Sequence, residues 1–270
     1  ATGRGSTVGG GGGIGIHSAY GNTASGDWSV VGGGANNYAG GVTSTIGGGQ
    51  YISVSAAGAT VAGGSRITVT GGHAAVGGGL KNHVTGTIAT IGGGYHNKAA
   101  ESYATVGGGG LNSSSGLGAS IGGGGGNTAS GACSVVAGGG GFSPFVHMGN
   151  TASGDRAAIG GGDRNIVTGP YGTIGGGTGI SITGDYATVG GGQHIKVTST
   201  GSAVAGGSFI TVTGDYAAVA GGHENQVDGN LATLGGGIRN AALAEASTIG
   251  GGRNIQVTGE AATVGGGDNN

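Results

Sequence analysis

Seven histidines, eleven carboxylates and one cysteine, Cys133, are the side chains in this 270-residue chain best suited to ligate a metal or move a proton. His73, His83, His96, His194 and His223 each stand alone, with no His, Cys or carboxylate at ligand spacing, and read as exposed turn residues. A calcium-binding roll needs aspartates recurring in a nine-residue repeat. Only Asp163 and Asp268 directly follow a glycine triplet here, so no calcium ladder is expected. Among so many serines and so few acids, no Ser-His-Asp or paired-carboxylate set can be singled out. Matches to G-x-G-x-x-G carry no weight in a chain this rich in glycine, because that site needs a strand before it and a helix behind. The reading is no catalytic residue, no metal ligand and no cofactor.

The elements that could position such groups come from a repeat. A glycine triplet follows an aliphatic residue every fifteen residues: Val31, Ile46, Val61, Val76, Ile91, Val106, Ile121 and Val136, then Ile159, Ile174, Val189, Val204, Val219, Leu234, Ile249 and Val264. A fixed short period means a repeat architecture, which builds length and surface. Numbering each unit from its anchor V, positions V+1 to V+3 are glycine, with alanine at V+1 in Ala62, Ala137, Ala205 and Ala220. V+6 is Asn or Ile, V+8 is small or β-branched, V+10 is usually Gly, and V+13 is small.

Alternation of period two, as in Ala104-Thr105-Val106 and Ile67-Thr68-Val69-Thr70, is the strand signal. Each unit therefore reads as one coil with two strands of about three to five residues and two turns, with glycine supplying positive φ. Parallel stacking of such coils gives an all-β parallel β-roll or β-helix solenoid. V, V+6, V+8 and V+13 should point inward. Ile at V+6 travels with a β-branched V+8, as in Ile52 with Val54. Asn there often travels with Ala, as in Asn97 with Ala99, which suggests two interchangeable packings.

Twice the spacing lengthens to 23 residues, from Val8 to Val31 and from Val136 to Ile159. Seven ordinary coils and one long coil make a 128-residue super-repeat, so residues 1–270 read as one continuous solenoid with super-repeats at about 8–135 and 136–263. The chain reads as a window on a longer repetitive polypeptide. The extra residues carry side chains that are scarce elsewhere: Tyr20, Phe142, Phe145, His147 and Met148 are candidate contact-loop residues.

Composition narrows the function. Of 270 residues 78 are Gly, 7% are charged and net charge is -2, which leaves no electrostatic footprint for nucleic acid. No apolar run is long enough to insert in a membrane as a helix. Arg66, Lys81, Arg164 and Arg239 favour V+5, while Asp185, Asp215, Glu245 and Glu260 favour V+11, giving a basic and an acidic edge. The outward column V+14 holds Thr45, Thr60, Thr90, Thr105, Thr173, Thr188, Thr233, Thr248 and Thr263, a candidate interchain face. A threonine array also suits ice binding, but Tyr38, His83, Lys98 and Lys196 interrupt the matching V+7 column.

Units such as Gly92-Gly93-Gly94-Tyr95-His96-Asn97-Lys98-Ala99 and Thr183-Gly184-Asp185-Tyr186-Ala187-Thr188-Val189 resemble the head repeats of trimeric autotransporter adhesins, in the triple-glycine YadA-like variety. The resemblance implies a left-handed roll, a parallel homotrimer, display at the cell surface, and adhesion to host matrix, cells or glycans. The chain shows neither a coiled-coil stalk nor a membrane-barrel anchor. The expectation is a non-enzymatic extracellular or cell-surface structural and adhesive fibre that self-assembles and continues axially. The alternative is a receptor- or ligand-binding fibre head, phage-fibre-like or ice-binding.

Overall fold

The structure is a computed structural model that describes residues 1–12, 21–141 and 149–269. It is all-β, a parallel solenoid with 33 strands among the described residues. Every strand is two residues long, shorter than the sequence suggests. Glycines and left-handed turn residues bracket each coil so closely that only the anchor pair and the V+7/V+8 pair form strands, with a single bridge residue at V+4. Two compact units make up the chain, Ala1–Ser130 and Gly131–Asn270.

In the first unit the anchor ladder runs through Thr90–Ile91, Thr105–Val106 and Ser120–Ile121, with Thr90 opposite Thr105 and Thr105 opposite Ser120. A second ladder runs through His83–Val84, Lys98–Ala99 and Ser113–Ser114. Single parallel bridges at V+4 add a third line, Leu80 to Tyr95 to Gly110. The second unit repeats the scheme, with Thr173 opposite Thr188, Lys196 opposite Thr211, and Gln193 opposite Ser208. All these pairings are fifteen residues apart, so each column of the sequence repeat becomes a file of stacked side chains.

V, V+6, V+8 and V+13 do point inward, as Ile91, Asn97, Ala99 and Ala104 illustrate at 0–1% exposure. V+10 is a further inward column that the sequence reading omitted; Gly86 and Gly116 are buried there. Small residues suffice because the interior is thin. The largest fully buried side chains are Ile and Leu.

Hydrogen bonds between coils run in both directions. In the coil anchored on Ile91, the amides of Gly92, Tyr95, Lys98, Ala100 and Thr105 donate forward to the next coil at 2.8–2.9 Å. Those of His96 and Tyr103 donate backward, to Leu80 at 2.8 Å and Thr87 at 2.9 Å. The reversal follows from backbone conformation. His96 (φ 55) at V+5 and Tyr103 (φ 61) at V+12 are left-handed, which turns the N–H to the opposite side.

The sequence reading had glycine supplying the positive φ of the turns. Instead V+5 and V+12 are mostly side-chain-bearing, including the β-branched Thr43 and Ile88. Left-handed geometry costs such residues roughly 1–2 kcal/mol each. A net gain of about 0.5–1.5 kcal/mol per backbone hydrogen bond offsets much of that cost, and the side chains project away from the interior. Glycine is forced at V+3. Gly94 has φ 89, and a Cβ there would lie 2.1 Å from the Gly109 carbonyl oxygen.

Candidate interaction surfaces

The interior explains the Asn and Ile alternatives. Asn97 donates through Nδ2 to the Gly93 carbonyl of its own coil at 2.9 Å and to the Gly109 carbonyl of the next at 3.0 Å. Its Oδ1 accepts the Asn112 amide at 3.0 Å. Asn82, Asn97, Asn112 and Asn127 thus form an unbroken ladder through Oδ1. Such pairing is what makes a buried amide affordable. In isoleucine coils Cδ1 takes the same space, and the Ile67 Cδ1 would touch a Cβ on Gly64 at 2.8 Å. The two packings are interchangeable because they fill one volume over the V+3 glycine.

The turn at V+11 gives the acidic column a backbone role. Asp155 accepts the Ala132 amide, one coil back, at 2.9 Å, and Asp215 accepts the Thr200 amide at 2.8 Å. Asp27 accepts both the amide and the guanidinium of Arg4 at 2.9 Å. Asp27, Asp155 and Asp215 finish turns, so in their coils the acidic side chain has a local cause.

V+12 carries exposed rings, which sequence reasoning missed. Trp28, Tyr103, Tyr186 and Tyr216 are all more than half exposed. Tyr171 and Tyr186 stack at 4.7 Å with planes 7° apart, and the Arg156 guanidinium lies 5.2 Å from the Tyr171 centroid. The signal was present, since the sequence puts a large residue at V+12 in many coils, Trp28, Tyr103, Tyr171, Tyr186 and Tyr216 among them. On the V+5 edge, Arg239 pairs with Glu224, and His223 lies 3.3 Å from the same carboxylate. The Arg239 hydrogen bond is the main cause holding the Glu224 carboxyl below its ordinary range.

The threonines of V+14 lie on the outer face of the anchor ladder, and Thr60, Thr90, Thr188, Thr233 and Thr263 are exposed. They pair in register, as Thr45 with Thr60 and Thr233 with Thr248. Val30, Ala75, Ser120, Val135, Ala158, Ala203 and Ala218 interrupt the file. Around Ala203 and Ala218, with Ala205 and Ala220 beside them, the face sinks into a shallow apolar depression of about 420 Å³. Tyr20, Phe142, Phe145, His147 and Met148 lie outside the described residues. The ladder beside them keeps register, with Val8 opposite Val31 and Val136 opposite Ile159.

Glycine at V+2 forms a further uniform file. It is glycine in every coil, from Gly10 to Gly266. A Cβ built at any of these positions meets nothing closer than 3.8 Å. Among the described residues no group of three or more His, Cys, Asp or Glu could hold a metal ion, and no helix is long and apolar enough to cross a membrane. No protein-family model matches the chain, and no curated protein matches it. What these surfaces define is a solenoid repeat protein whose side-chain files are regular and whose described surface gathers no reactive constellation.

Proposed function

We propose that this chain is a non-catalytic structural protein whose coils pack side by side with further copies to make an adhesive filament outside the cell. One observation carries the reading. Glycine costs backbone entropy on ordering, yet V+2 is glycine in all coils with open space around it. At Gly78 (φ 155) and Gly236 (φ 146) the backbone itself favours glycine, but at the other V+2 positions neither a positive φ nor a close contact within the chain requires it. A second chain lying against the file would explain the uniformity, because a side chain at V+2 would hold it off. The V+14 threonines and alanines, with the V+1 glycines and alanines beside them, add a second small-residue file.

The finer parts of the proposal follow the repeat's resemblance to trimeric autotransporter heads: three parallel chains, left-handed coils, and display at the cell surface. A thin core of Ala, Val and Ile gains from the added burial, at about 25 cal/mol per Å² of apolar surface. Continuation of the coils beyond either end extends the filament, with the eight-residue excursions available as contact loops.

Sedimentation equilibrium tests the reading. The expected species at micromolar concentration is a trimer or a multiple of it. Replacing Gly93, Gly108 and Gly123 together by Leu should leave the β-rich circular dichroism intact and release monomers. A wild-type chain that stays monomeric and stable would overturn the assembly.

A further inference from the structure

Adjacent coils of the first unit carry a grid of basic side chains, the cations Arg66, Lys81 and Lys98 with the imidazoles His83 and His96, that no acid balances. Arg66, Lys81 and His96 occupy V+5 in three successive coils, with φ 54, 58 and 55. Each donates its amide to the coil before, to Gln50 at 2.9 Å, Ser65 at 3.0 Å and Leu80 at 2.8 Å. That backbone ladder holds the three side chains in one file. Two residues further on, His83 and Lys98 stand opposite each other across parallel strands. A shallow depression of about 460 Å³ lies along them, lined by His83, His96, Lys98, Leu111 and Ser113 among others.

The grid is uncompensated. Of the eleven carboxylates only Asp27 and Glu101 fall within Ala1–Ser130. Asp27 is taken by Arg4 at 2.9 Å, and Glu101 sits at V+10, in the other turn. Among the described residues the ion pairs use Arg4, Arg164, His223 and Arg239, and none uses Arg66, Lys81 or Lys98. The Lys81 ammonium lies 5.8 Å from the Tyr95 centroid, and that ring meets His96 edge-on at 5.7 Å. Both contacts keep these side chains on one patch. The same residue pair recurs in the second unit as His194 and Lys196. There His194 stacks on Phe209 at 5.0 Å, and Lys196 is flanked in its file by Ser181 and Thr211, so no grid forms.

We propose that this grid binds a linear anionic polysaccharide, sulfated or carboxylated, lying along the stacking direction of the first unit. Successive coils are about 4.8 Å apart, a step close to the length of one sugar ring along a glycan. Cations in file can therefore meet anionic groups on successive sugars. Leu111 and Ser113 offer an apolar and a hydroxyl contact to a saturated ring. A single-stranded nucleic acid fits less well, because it needs aromatic faces on which bases stack. The tyrosine within the grid, Tyr95, is engaged by Lys81, and Tyr51 stands one coil outside it. The patch lies within one chain, so the proposal requires no particular assembly state.

Titrating fluorescent sulfated and carboxylated dodecasaccharides into the intact chain at about 50 mM salt tests it. At least one should bind, and affinity should fall steeply with added salt, as for other polyanions. The double variant K81Q/K98Q should weaken binding by about tenfold or more at an unchanged melting curve, and R66Q alone by a smaller factor. K196Q, an exposed cation elsewhere, should leave binding within about twofold. Three results would overturn the proposal: no binding of either oligosaccharide, equal losses in K196Q and K81Q/K98Q, or equally tight binding of single-stranded DNA of matched charge. A monomeric chain that binds the glycan would defeat the filament reading and leave this one standing.

Discussion

Asn150 donates through Nδ2 to the Gly138 carbonyl at 3.1 Å, twelve residues back along the chain. In an ordinary coil the same bond spans four, as from Asn97 to Gly93. Asn22 and Gly10 repeat the long version at 2.9 Å. The long coil is thus an ordinary coil with eight residues spliced in after V+4, and the asparagine closes the splice. Excising residues 141–148 joins Gly140 to Gly149, puts glycine at the left-handed V+5 position and restores the fifteen-residue period. That deletion should fold with an unchanged or raised midpoint in urea. A large loss of stability would show that the excursion supports the coil. The variant N150A in the full chain should lose about 1–3 kcal/mol.

Asn97 makes the ladder testable from within. N97D removes both side-chain donors and faces a charge toward the Gly93 and Gly109 carbonyls, so it should cost several kcal/mol. N97I is gentler, because Ile52 and Ile67 already fill this place in other coils. It still strips the Asn112 amide of its acceptor, so a loss of about 1–3 kcal/mol is expected. Urea titrations should rank wild type above N97I above N97D. Equal midpoints for N97I and N97D would refute the ladder.

Adjacent glycines should respond in opposite ways. G94A forces a Cβ to within 2.1 Å of a carbonyl oxygen on a left-handed backbone, and should destabilise by more than about 1 kcal/mol. G93A adds a methyl to open space. Thermal melts of dilute chains should detect the first change and miss the second. A substantial drop in melting temperature for G93A under those conditions would argue for an intrachain role of V+2.

The Glu224 carboxyl titrates below the ordinary glutamate range, chiefly through its hydrogen bond from Arg239. A carboxylate with a lowered folded pKa contributes stability above its unfolded value and loses it as pH falls through the folded one. The window therefore lies on the acid side of ordinary glutamate, and the exposed pair is weakened by salt. Carbon-detected NMR titration of Glu224 should show the low midpoint in the wild type and a higher one in R239Q. An unchanged midpoint would dissolve the pair.

Much of the fold can be read directly from the residues. The spacing of Val31, Ile46 and Val61 implies the coil, and the co-variation of Ile52 with Val54 implies an inward V+6. What escaped reading depends on backbone direction. Nothing in Ile88 or Tyr103 as residue types announces a left-handed turn, because the reward is a reversed amide that only stacking creates. Asp155 looks like a surface charge until the Ala132 amide is placed beside it. Strand length was overestimated for a related reason: Ile67-Thr68-Val69-Thr70 alternates over four residues, but only Thr68–Val69 pair as strand. The basic grid was visible as Lys81, His83, His96 and Lys98, yet read singly those residues scatter. It takes the register of His83 with Lys98 to make them neighbours.

The bonds between coils also set how a unit carries load. They lie along the stacking direction, so pulling on a unit's ends strains them in tension and opens one coil at a time. A freed coil of fifteen residues reaches about 50 Å from an initial step of about 4.8 Å, roughly a tenfold extension. The forward and backward amides must break together at each step, and the next coil presents the same set again. A unit built this way yields coil by coil and spends work at each step, in equal increments except at its one 23-residue coil, and so behaves under force as a shock absorber.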